Sequence, residues 1–140
     1  MRRFLLLALV MAVCLYSFSA CSWIEGIGTK SGESLLELGK DGISTITVVS
    51  HPEYHDCTFS GEDINIITDH LSSLALLTNF HENPDEMAGM SWIITISYKN
   101  GDSATVIYFG EFIRTENGPW YKIRRTEGKR FYELMEELAG

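Results

Sequence analysis

The chain predicts an α+β domain of two layers, a mostly antiparallel sheet with two helices packed on one face. Three observations carry this. Residues 91–109, SWIITISYKNGDSATVIYF, place Asn100-Gly101 between two runs rich in Ile, Val, Thr and Tyr, which is a hairpin pattern. Ile64, Ile67, Leu71 and Leu74 make one helical stripe, and Phe131, Leu134, Met135 and Leu138 make a second. The remaining apolar runs are short and separated by Gly, Asn and Pro, so neighbouring strands must run antiparallel. Two one-sided helices then need one sheet face to bury against, and the expected order is ββαββββα.

Taken in order, residues 43–50 (ISTITVVS) are β-branched enough for a strand. The stretch His51 to Asp56 reads as a turn or bulge, and Cys57-Thr58-Phe59 as a short second strand. Ser60 starts a helix, with Asp63 at capping-box spacing, and the apolar pattern carries that helix to about Leu77. A polar loop follows over 78–89. Within the hairpin, a two-residue loop makes facing positions sum to 201, so that Lys99 faces Asp102. Trp92, Ile94, Ile96, Tyr98, Ser103, Thr105, Ile107 and Phe109 then share the face expected to be core. Ile93, Thr95, Ser97, Lys99, Asp102, Ala104, Val106 and Tyr108 share the mixed face nearer water. Gly110-Glu111 turns the chain into 112–115, and Asn117-Gly118 turns it again into 120–124, where Pro119 leaves the register open. The last helix covers about 128–138, with Glu133, Glu136 and Glu137 on its wet side.

The 140 residues fit one domain behind a leader. Met1-Arg2-Arg3 is a positive start, and residues 4–18 are an apolar run too short for a comfortable membrane span. Ser19-Ala20 are the small residues that precede a signal-peptidase cut. Phe18-Ser19-Ala20-Cys21 resembles the lipobox of bacterial lipoproteins, with Phe18 where that class usually has an aliphatic residue. The resemblance implies cleavage between Ala20 and Cys21 and diacylglyceryl transfer to the Cys21 thiol. Palmitate-type chains on Cys21 would then anchor the protein outside the cytoplasm, on the cell membrane or, in a diderm, the outer membrane. The expected domains are a signal peptide over 1–20, a glycine-rich flexible tether over 21–42 and the α+β domain over 43–140, with residues 34–38 (SLLEL) of the tether able to form a helical turn that docks on the domain. In layout that domain is similar to small uncharacterised lipoprotein domains of Gram-positive bacteria, a likeness of pattern that transfers no functional residue. Cys14 leaves with the leader and Cys21 is acylated, so Cys57 has no disulfide partner in the mature chain.

Formal charge is −8, and loss of Arg2 and Arg3 makes the mature chain more acidic. Such a chain repels nucleic acid, which is excluded as a general partner. The basic residues concentrate in Arg114, Lys122, Arg124, Arg125, Lys129 and Arg130. No nucleophile elbow, P-loop, zincin or dinucleotide motif occurs, so the expectation is a non-enzymatic binding or interaction domain without a cofactor. Its partner would be a protein or small molecule outside the cytoplasm. The candidate contact surface is the mixed sheet face with Thr95, Ser97, Val106 and Tyr108. The alternatives are a metal-binding protein using His51, His55 and Cys57, which alternate in an extended chain, and a small hydrolase whose site forms only on folding. A tight turn breaks the first alternation, so no metal is expected there. His70 borders the helix stripe. Residues 81–86 (HENPDE) offer oxygens for calcium but lack EF-hand spacing.

Overall fold

A computed structural model describes residues 29–52 and 56–139. The leader, Cys21 with its lipobox, the first part of the expected tether, and His55 lie outside the described residues. The strands are β1 (Thr29–Ser31), β2 (Ile43–His51), β3 (Asp56–Phe59), β4 (Ala75–Leu77), β5 (Ser91–Tyr98), β6 (Ser103–Phe109), β7 (Phe112–Thr115) and β8 (Tyr121–Lys122). The helices are α1 (Glu62–Ser73) and α2 (Arg125–Ala139), with 3₁₀ turns at Gly32–Leu35 and Pro84–Glu86. The strands form one sheet in the order β1-β4-β8-β7-β6-β5-β2-β3, and every pair is antiparallel. Ile64, Ile67 and Leu71 of α1 and Phe131 and Met135 of α2 join Ile46, Val48, Ile94, Ile96, Val106 and Ile113 in one buried cluster. Both helices therefore cover the same sheet face, as the α+β reading expects.

The central hairpin differs from the expected register by one residue. Its partners sum to 200, with Ile96 opposite Ala104 and Ile94 opposite Val106. The Gly101 N–H donates to the Tyr98 carbonyl at 3.0 Å and the Tyr98 N–H to the Asp102 carbonyl at 2.9 Å, which closes a three-residue loop. Only Gly101 takes positive φ, at 93°, and Asn100 does not, so the turn is not type I′. Asn100 instead uses its side chain, whose oxygen accepts the Asp102 N–H at 3.0 Å. The extra loop residue moves every β6 side chain to the other face relative to β5. Ala104, Val106 and Tyr108 are core, while Ser103, Thr105, Ile107 and Phe109 turn outward.

Two further strands come from segments read otherwise. α1 stops at Ser73, and Ala75–Leu77 pairs with β1 and, through Leu77, with Lys122 of β8. The run Leu74-Ala75-Leu76-Leu77 satisfies a helical and an extended pattern equally, and strand pairing decides. The segment read as a tether is, from Thr29 onward, folded onto the domain. Thr29–Ser31 forms the edge strand, and Leu35 and Leu36 are buried against α1. The Gly32 N–H donates to the Leu74 carbonyl at 2.8 Å, supplying a partner just past the end of α1. Tyr98 Oη donates to the Gly39 carbonyl at 3.0 Å and the Lys99 N–H to the Gly42 carbonyl at 2.8 Å, which ties down the rest.

The helix starts also sort themselves out. Gly61, at φ 64°, is the N-cap of α1, so the Ser60 cap does not form and no side chain caps that end. Glu62 and Asp63 still place negative charge at its first turn. At α2, Glu127 reaches back to accept the Arg124 N–H at 3.1 Å, half of a capping box. Among the described residues no helix is long and apolar enough to cross a membrane.

Candidate functional site

Among the described residues the other sheet face has no covering layer, and its side chains fall into rows across the strands. Directly opposed residues share a face. One row reads Asp56, Val49, Ile93, Ile107 and Arg114 across β3, β2, β5, β6 and β7. The next reads Thr58, Thr47, Thr95 and Thr105, with the Thr47 and Thr58 hydroxyls 3.3 Å apart. A third holds Thr45, Ser97 and Ser103. Ile93 is 36% exposed, and Val49, Ile107 and the Thr95 and Ser97 side chains are partly exposed. Hydroxyl rows beside an aliphatic row are therefore presented on the open side of the sheet.

This corrects the expected contact surface. Thr95 and Ser97 do face outward, but Val106 and Tyr108 point to the helix side and are fully buried. The one-residue change in loop length is the cause. Tyr108 stacks on Phe131 with ring centroids 4.1 Å apart, and its hydroxyl donates to the Glu127 carbonyl at 3.3 Å. Burial, then the nearby Glu127 and Tyr132, push its phenol pKa up. In its place on the outer face the hairpin supplies Thr105 and Ile107.

One end of the open face is closed by the loop over 78–90. Phe80 packs against Phe112 with centroids 5.5 Å apart. Trp120 Nε1–H donates to Asp85 Oδ1 at 3.0 Å, and Arg114 lies over the Trp120 ring at 4.5 Å and 3.7 Å from Asp85. Lys122 donates to Glu82; this hydrogen bond holds the Glu82 carboxyl below its usual range and raises Lys122. The acids of this loop thus neutralise two members of the basic group, and the calcium reading of 81–86 is not assembled: no cluster of three or more acidic, His or Cys side chains with metal-binding geometry occurs among the described residues.

A cleft of about 330 Å³ opens on the helix side, between the β3 edge and the C-terminal half of α2. Val48, Cys57, Phe59, Trp92, Tyr132 and Met135 line it, with Met90 and Glu136 at hand. It suits a small apolar group, at the low end of ligand-site volumes. Cys57, Tyr132 and Glu136 are the titratable side chains of its described lining. Sequence reasoning missed this cleft because Met90 and Tyr132 lie far apart in the chain and off the helical stripe. Trp92, alternating with Ile94, was the one readable signal.

The metal set is taken apart by strand parity. Cys57 pairs with Val48 on the helix side, whereas His51, three residues on from Val48, is exposed on the opposite face. His70 is a packed helix residue. It sits 5.6 Å from the Phe131 ring, and its Nε2 has no hydrogen-bond partner. Burial first, and the Arg130 charge second, lower its pKa to about 4. The unfolded chain binds a proton here below about pH 6.5 and the folded one does not. The stability that neutral His70 contributes is therefore present above pH 6.5 and is lost as pH falls toward 4. His70→Phe should flatten the decline of the melting temperature between pH 7 and pH 4.5; equal slopes in the two proteins would show that His70 titrates normally.

Comparison with known proteins finds no matching family model, no similar curated protein and no similar solved structure.

Proposed function

We propose that the protein is a lipid-anchored, extracytoplasmic, non-enzymatic interaction module that meets its partner through the outer face of the sheet. The observation that carries this is the aliphatic row on the open side, where Val49, Ile93 and Ile107 lie beside the hydroxyl rows with no layer above them among the described residues. Apolar side chains gathered on an uncovered sheet face are the usual mark of a contact surface. The chain uses β-branched and hydroxyl residues there, with a single acid and a single base at the row's ends, although the protein as a whole carries a charge of −8.

The anchor rests on Phe18-Ser19-Ala20-Cys21. Two acyl chains on Cys21 hold a protein at a membrane durably, where one does not. Cys21→Ser should leave an uncut precursor without lipid or release the protein into the soluble fraction; a variant of mature size that still sediments with membranes would end the anchor proposal. The contact surface has its own test. A photo-crosslinking residue at Thr95 should capture a partner on intact cells, and one at exposed Ser73 of α1 should not. Equal capture at both positions would remove the outer face from the proposal.

A further inference from the structure

The aliphatic row has a chemical order that is complementary to itself after a two-fold turn. Across β3, β2, β5, β6 and β7 it runs acid, aliphatic, aliphatic, aliphatic, base: Asp56, Val49, Ile93, Ile107, Arg114. From this we infer that the outer face pairs with a second copy of the chain, sheet on sheet, about a two-fold axis that runs along β5 near Ile93. The inference rests on the outer face being the contact surface and adds the identity of the partner.

Rotation about an axis parallel to the strands reverses the strand order. β3 of one copy then lies over β7 of the other, and β2 over β6. Ile93 meets its own copy at the axis. Val49 meets Ile107, and Asp56 meets Arg114, once on each side. An isologous interface requires this self-complementarity, in which residue i touches j and j touches i. The neighbouring row behaves alike, because Thr95 falls on the axis and Thr47 meets Thr105.

Arg114 is suited to a second acidic partner. Its present contact with Asp85 is long, at 3.7 Å, and 29% of its side chain remains exposed. Two chains of charge −8 repel at a distance, and a face whose one acid and one base cancel is where they can approach. The strand lengths of β2, β3, β5, β6 and β7, at ~3.4 Å per residue and ~4.8 Å between strands, give roughly 500 Å² per copy. The pair then buries about 1,000 Å², the size of weak, reversible association.

The test uses the full chain on intact cells. Ile93→Cys treated with a short bismaleimide should yield a band of doubled mass, above the background set by the chain's own cysteines. Ser73→Cys on the helix side should not. Asp56→Arg should cause a several-fold loss of the doubled band from Ile93→Cys, Arg114→Asp should do the same, and the two exchanges together should restore it. Rescue by the double exchange separates a contact across the axis from damage to the Arg114–Trp120 packing. A crosslinked band of some other mass would overturn the second copy as partner while leaving the outer face as the contact surface. A link from position 93 to the residues before Thr29 of the same chain would overturn it likewise. No crosslink above background would overturn both the pairing and the outer-face reading.

Discussion

Phe131→Ala is expected to cost about 3–5 kcal/mol of folding stability, the range for removing a fully buried aromatic ring. In a domain of this size that lowers the melting temperature by roughly 10–20 °C. The magnitude follows from where the ring sits. Phe131 is fully buried and stacks on Tyr108 at 4.1 Å, meets the Trp92 ring edge-on at 6.1 Å and lies 5.6 Å from His70. It therefore joins α2, α1 and the two central strands at one point. Removing it leaves a cavity under α2 that Tyr108 cannot collapse into, because the Tyr108 hydroxyl is held by the Glu127 carbonyl. Phe131→Leu should recover part of the loss. Thermal unfolding followed by far-UV circular dichroism measures both, and a shift of only a few degrees for Phe131→Ala would show that α2 does not depend on this stack.

Phe131 belongs to the part of the fold that was readable in the chain. Its helical stripe with Leu134, Met135 and Leu138 needs only a period of 3.6 and predicts which side of α2 faces the sheet. Ile64, Ile67 and Leu71 declare α1 in the same way, and all three are buried. Periodicity within one element is local, and local information survives in the sequence. What failed was relational. Asn100-Gly101 correctly marks a turn, yet whether Asn100 takes positive φ decides between two- and three-residue loops. That choice is settled by the Asn100 side chain bonding to Asp102 and by which β6 face the helices can cover. A single residue of register then separates an outward Tyr108 from a buried one. Half of the expected contact surface, Val106 and Tyr108, fell to that difference, while Thr95 and Ser97 on the preceding strand kept their assigned side. The strand parity of His51 and Cys57 was likewise invisible until β2 and β3 were paired.

The largest departure concerns the glycine-rich stretch before residue 43, and it yields the second large expected effect. Leu35→Ala should destabilise the domain by about 2–5 kcal/mol, whereas the same change at Leu38 should stay within about 0.5 kcal/mol. The two leucines are three residues apart in a segment whose composition suggests a solvated linker. Leu35 is 1% exposed and belongs to the core cluster, but Leu38 is 49% exposed. Gly32→Ala sharpens the point. A Cβ built there stands 2.0 Å from the Leu71 carbonyl oxygen, which is backbone and cannot rotate away. The 3₁₀ turn must then lift from the end of α1, breaking the 2.8 Å hydrogen bond from the Gly32 N–H to Leu74 and disturbing the β1–β4 pairing. Glycine at 32 is a requirement of close approach, not of flexibility, and composition alone does not distinguish the two. If Leu35→Ala and Gly32→Ala both melt with the unsubstituted protein, the segment from Thr29 is a linker after all and the sheet ends at β4. If both fall steeply while Leu38→Ala does not, the segment from Thr29 is part of the folded domain.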